Sequence, residues 1–164
     1  MNATPCKLSY DAIRDYAELI GATHDIYYGE GLADIDGLIE KLGGTVVYDQ
    51  RLELAIYGQG NFVISVSSIQ SDHRSRFAKA HALAHYFLHY RYPQLTGHRM
   101  FDKGQSGPAE TQANVFCSTL MMPERYFRLA FEEYSGDYWE LSRIFETSPA
   151  AARVRAEVLK LVEV

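Results

Sequence analysis

The sequence predicts an α+β fold. Three observations carry that reading: amphipathic segments of 3.6-residue period at both ends of the chain, a cluster of short β-branched and aromatic runs between residues 45 and 67, and 47% hydrophobic against 23% charged residues over 164 positions. A chain of this length buries roughly two-thirds of its unfolded surface and needs no covalent staples. No linker, repeat or low-complexity tract interrupts it, so residues 1–164 read as one domain.

The elements follow in order. Residues 9–23 (SYDAIRDYAELIGAT) form a helix, with Ser9 as cap and Ile13, Tyr16, Ala17 and Ile20 on one stripe. Residues 33–42 form a second, stopped at Gly43-Gly44. Three strands near 45–49, 52–57 and 61–67 are punctuated by Asp49-Gln50 and Gly58-Gln59-Gly60, which suits a small three-stranded antiparallel meander. A helix then starts at Ser71 or Asp72 and runs to about Tyr90. Residues 91–107 form a long polar loop, a length that often marks a lid. Helices follow at about 108–121, 124–135, 137–146 and 149–162, three of them opened by Pro108, Pro123 and the Ser148-Pro149 pair. The sheet is thus packed among about six helices.

Composition excludes several functions. Sixteen basic against 21 acidic residues give a net charge of −5, and no basic run is present, so direct nucleic-acid binding is not expected. Arg153 and Arg155 read as a solvated face or as partners of Glu157 or Glu163. Cys6 and Cys117 alone provide neither a disulfide framework nor a Cys-rich metal cluster, which fits a reducing cytoplasm. The N-terminal segment lacks the pattern of a signal peptide, and no apolar run is long enough to span a membrane.

The chemistry concentrates in His81-Ala82-Leu83-Ala84-His85. Residues i and i+4 of a helix lie about 40° apart around the axis and about 6 Å apart along it, so two imidazoles there can converge on one metal ion. On the pair alone, two histidines satisfied by backbone or water is the stronger reading. A second segment, ETQANVFCSTLMMP (110–123), shifts the balance. Glu110, early on the next helix, is a natural third ligand, since open zinc sites favour sets such as two histidines and a glutamate. Asn114, one turn on, suits a hydrogen bond that orients a ligand histidine. The plainer roles are a first-turn carboxylate favoured by the helix dipole for Glu110 and a solvated amide for Asn114.

These segments resemble the ImmA/IrrE metallopeptidase family, whose pattern is RFTxAHExxHYxLH followed by ExxANxFAxxLLMP. The chain offers RFAKAHALAHYFLH (76–89) and ETQANVFCSTLMMP (110–123), and weaker likeness extends over nearly its whole length. The resemblance implies a zincin-like fold with the metal site between two helices. It also implies one Zn2+ per chain held by His81, His85 and Glu110, with Asn114 behind them. Members are gluzincin-like endopeptidases that typically cleave a helix-turn-helix (XRE-type) repressor and so release a stress or mobile-element programme.

One position departs from the pattern: Ala82 stands where the family has glutamate. In HExxH enzymes that glutamate takes a proton from the attacking water and returns it to the leaving amine. Alanine does neither, and loss of a positioned base costs at least about 10²–10⁴ in rate. Metal binding should survive, because this residue is not a ligand. Two origins fit: a deliberate Glu→Ala substitution, or a natural pseudo-protease acting by occupancy, as an antirepressor or antitoxin-like partner would. Retention of every other site element favours the first.

Neighbouring residues carry weaker signals. His89 is about 12 Å along the helix from His81, too far to share an ion, and reads as capping or packing. His98 in the 91–107 loop, Tyr86 and Tyr90 are candidates for oxyanion or substrate contacts. Cys117 reads as a small buried hydrophobe. The strand at 61–67 reads as a plausible edge against which an extended substrate pairs.

Overall fold

The structure, a computed structural model, describes residues 2–48, 51–67 and 72–164. Local sequence dictates most of the helices. Ser9 accepts the Ala12 N–H at 3.1 Å and starts α1 (Tyr10–Thr23), which buries Ile13, Ala17 and Gly21. Gly21 is required there: a Cβ would lie 2.5 Å from the Tyr27 hydroxyl, which itself donates to the Leu120 carbonyl. A two-stranded ribbon, β1 (Tyr27–Tyr28) and β2 (Leu32–Ala33), precedes α2 (Ile35–Lys41), whose cap is Asp34. The expected start of α2 at residue 33 thus belongs to β2.

The fold is α+β and zincin-like, with a His/Glu cluster between helices. Its main sheet is larger and differently ordered than a three-stranded antiparallel meander. Strands β3 (Gly44–Tyr48), β4 (Leu52–Gly58), β5 (Asn61–Val66) and β6 (Arg99–Asp102) lie in the order β3-β5-β4-β6. β3 and β5 run parallel; β4 is antiparallel to both of its neighbours. Burial explains the order. Phe62, Ile64, Ser65 and Val66 of β5 are buried, whereas β3 is mostly half-buried or exposed. The most apolar strand takes a central place and the more polar one an edge. The 61–67 strand is therefore not an edge. Among the described residues the edge strand on the site side is β6, drawn from the segment read as loop. The turn expected at Asp49-Gln50 and the cap expected at Ser71 lie outside the described residues.

Helix α3 (Asp72–Tyr86) packs against this sheet and against α4 (Pro108–Met121). Its second half is buried except at His81, and Ala80, Ala82 and Ala84 are fully enclosed. After Tyr86 the helix widens into a π-helical stretch, Phe87–Arg91, with Tyr92 N–H donating to the Phe87 carbonyl at 2.8 Å. Such wide turns recur at functional sites.

Helices α5 (Glu124–Glu133), α6 (Tyr138–Phe145) and α7 (Pro149–Val158) enclose a second apolar cluster around Phe127, Leu141 and Phe145. Arg155 belongs to neither a solvated face nor a surface ion pair. It is buried, and its Nε donates to the Met122 carbonyl at 2.8 Å, tying α7 to the end of α4. Arg153 does pair with Glu157, at 3.3 Å.

Candidate metal centre

His81 and His85 project from the buried half of α3, and Glu110 from the first turn of α4. Their side chains meet. Nε2 of His85 lies 2.9 Å from Oε2 of Glu110, and Nε2 of His81 lies 3.7 Å from Oε1 of the same carboxylate. A fourth group joins them from the sheet: Glu53 of β4 has Oε2 against Nδ1 of His81 and Oε1 3.5 Å from Nε2 of His85. One donor atom from each of the four lies within 4.8 Å of the others. The site therefore sits between two helices and a strand, rather than between two helices alone.

The placement of Glu53 has a local cause. Leu52 pairs with Asp102 and Leu54 with Phe101, so Glu53 is the extra residue of a β-bulge facing β6. A bulge re-aims a side chain and recurs beside active sites. Leu54 and Ile56 are fully buried, while the Glu53 carboxylate turns to the histidines with 12% of its side chain exposed.

The electrostatics follow from burial and proximity. His85 is pushed down to about 2 by burial, reinforced by the neighbouring His81 and His89, so it is a neutral imidazole with a free lone pair. Burial also pulls on His81, but its hydrogen bond to Glu53 and the charges of Glu53 and Glu110 outweigh that and raise it. Burial raises the Glu110 carboxyl, opposed by His81 and helped by Glu53. A divalent cation would relieve this arrangement, because it replaces the shared protons and neutralises both carboxylates. The donors, two imidazoles and two carboxylates, suit a first-row ion such as zinc. Their 2.9–3.7 Å separations bracket the donor–donor edge of about 3.3 Å implied by zinc bonds near 2.0–2.1 Å.

A hydrogen-bonded chain behind His85 sets its tautomer. The Gln112 amide is fixed by Cys6: Oε1 accepts the Cys6 N–H at 3.0 Å and Nε2 donates to the Cys6 carbonyl at 2.8 Å. Oε1 also faces Nε2 of His89 at 3.0 Å, so that nitrogen carries the proton. Nδ1 of His89 is then an acceptor, and Nδ1 of His85, 2.8 Å away, donates to it. The lone pair of His85 is left on Nε2, facing the cluster. Phe101 of β6 stacks on the His85 ring with centroids 5.5 Å apart. His89 is thus more than packing, and Gln112, not singled out in the sequence, is the amide that orients the histidines.

The remaining candidates lie elsewhere. Asn114 is exposed and lines the mouth of the site; among the described residues it makes no hydrogen bond to a ligand histidine. Tyr86 and Tyr90 are buried: the Tyr86 hydroxyl accepts the Gly60 N–H, and the Tyr90 hydroxyl donates to the Gly97 carbonyl. His98 is exposed and packs edge-on to Tyr57. None of these three borders the cavity of about 340 Å³ beside the cluster, whose walls include Phe77, Lys103, Gln105 and Asn114. Ala82 is fully buried and contributes no polar atom. Cys117 is buried against the Phe77 carbonyl and Met121, and burial raises its thiol, so it is no ligand.

The chain matches the family model Peptidase_M78, the IrrE N-terminal-like domain, over residues 38–157. That span holds all four cluster residues and both quoted motifs. No curated protein matches the chain.

Proposed function

Because the chain belongs to the family of the IrrE N-terminal-like domain, we propose that it is a zinc-holding metallopeptidase scaffold that binds a segment of a protein partner without cutting it. The observation that carries the reading is Ala82, buried next to His81 with no proton to exchange. Bound zinc supplies a Lewis acid, but hydrolysis also needs a positioned base, worth about 10²–10⁴ in rate. His81, His85 and Glu110 hold the ion; His89 and Gln112 keep His85 in the binding tautomer.

The cavity and the position of β6 at the edge of the described sheet support peptide binding. An extended segment can add to that edge through main-chain hydrogen bonds, with Phe77 and Gln105 at the cavity wall meeting its side chains. The partner class is a helix-turn-helix repressor, as the family likeness implies, and with Ala82 in place the effect is occupancy of that partner; a natural antirepressor or antitoxin-like protein is the alternative to a peptidase that the alanine has disabled. The cytoplasm, where such a repressor works, is the proposed compartment. Among the described residues no helix is long and apolar enough to cross a membrane.

The test incubates zinc-loaded protein with a panel of helix-turn-helix repressors, reading complexes by size-exclusion chromatography and fragments by mass spectrometry. An intact complex without fragments is expected. Cleavage by the chain as it stands, or no complex with any repressor, contradicts the reading.

A further inference from the structure

Glu53 is a second carboxylate at a centre that needs only one. We infer that Glu53 is a fourth protein ligand, which closes the metal's coordination sphere and makes this a holding site rather than an open catalytic one. The inference rests on the reading of His81, His85 and Glu110 as metal ligands.

Three observations support it independently of the family. The first is distance. Oε1 of Glu53 lies 3.5 Å from Nε2 of His85, between the 2.9 and 3.7 Å that separate Glu110 from the two histidines. One donor atom from each of the four residues lies within 4.8 Å of the others, close enough for all four to reach one ion, as in zinc sites with four protein ligands. The second is backbone design. Glu53 is the unpaired residue of the β4 bulge, and that bulge turns a charged side chain inward from a strand whose next three residues are buried. An inward carboxylate must be paired or bound to metal, and the groups this one meets are the histidines His81 and His85. The third is charge. Two carboxylates and two neutral imidazoles balance a divalent ion completely, whereas one carboxylate leaves the site positive. The residual positive charge is what makes an open metal centre a strong Lewis acid, so a second carboxylate weakens that property.

The closed sphere and the alanine at 82 point the same way. One removes the position a substrate carbonyl would take, and the other removes the base. Glu53 is set against His81 in such a way that it can also orient that ring from outside the sphere, so the test separates the two roles.

The probes are Zn2+ and Co2+ on the full chain. Zinc affinity is measured by competition with a chromophoric chelator, for the unaltered chain and for Glu53→Gln. The Co2+ visible spectrum is recorded with and without acetohydroxamate, which binds only where a coordination position is open, for the unaltered chain and for Glu53→Ala. Zinc affinity is expected to fall at least about 10-fold in Glu53→Gln, by comparison with the 10–100-fold typical of losing an outer-sphere partner. Acetohydroxamate should leave the Co2+ spectrum of the unaltered chain unchanged and alter that of Glu53→Ala. A hydroxamate response in the unaltered chain overturns the inference, and needs no variant to fold. Zinc affinity within twofold in a folded Glu53→Gln protein overturns it as well. Neither readout involves a protein partner, so failure here leaves the binding of a repressor to be judged by its own test.

Discussion

Nδ1 of His85 and Nδ1 of His89 face each other at 2.8 Å inside the protein, and only one of them can carry the proton. Gln112 decides which, because its amide is pinned between the N–H and C=O of Cys6. The N-terminal segment is thereby linked through two histidines to the metal centre. His89→Phe should lower zinc affinity about 10–100-fold, the range for loss of a partner that orients a ligand. Gln112→Leu should do so less, since His89 remains but its polarity is no longer imposed. Long-range 1H–15N spectra of the metal-free protein should show His85 protonated at Nδ1 and His89 at Nε2. The opposite assignment at His85 would refute the relay.

Restoring the base should not by itself restore a peptidase. Ala82→Glu supplies a group worth about 10²–10⁴ in rate. With Glu53 in the fourth position, most of that gain should be withheld until Glu53→Ala opens the site. Fragment yields from a bound repressor, compared for the single and double variants by mass spectrometry, check this. Equal yields would show that Glu53 does not obstruct.

Acid should destabilise the metal-free protein. His85 falls to about 2 and His89 is also lowered, both chiefly by burial. Below the ordinary histidine value the unfolded chain takes up these two protons and the folded chain does not, so stability is present above about pH 6.5 and is lost as pH falls. His81 and Glu110 are raised and work the other way, each giving stability that is present below its unfolded value and lost as pH rises through its folded one. The loss should be on the order of 1–3 kcal/mol between pH 7 and pH 5. Urea unfolding across that interval measures it, and His89→Phe should flatten the dependence.

Arg155 should be a structural clamp rather than a contact for a polyanion. Burial pulls its guanidinium down to about 10, still charged at neutral pH, and its Nε holds the Met122 carbonyl. Arg155→Met keeps the apolar volume but orphans that carbonyl. It should cost about 1.5–3 kcal/mol, and the melting temperature should drop by several degrees. An unchanged melting temperature would contradict the role.

What could be read in advance was what is local. Ser9, Pro108 and Ser148 mark helix starts through hydrogen bonds or φ values that belong to the residue itself. The His81–His85 pair follows from helical spacing, and Glu110 came from pairing one motif with the next. Glu53 was hidden because its role depends on a bulge against β6, a strand far along the chain that itself read as loop. On its own, a glutamate in LELAIYG looks like a solvent-facing strand residue. His89 and Gln112 were hidden for a similar reason: each is ordinary until the two helices cross. The sheet order turned on burial: the apolar FVISV strand lies inside the sheet beside β4, and β3 is left at an edge.

The most direct measurement is metal content. Protein purified without chelator and analysed by inductively coupled plasma mass spectrometry should carry one zinc per chain, and His81→Ala/His85→Ala should carry none while keeping its circular dichroism spectrum. Zinc retained by the folded double variant, or absent from the unaltered chain after exposure to an excess of the ion, would contradict the account.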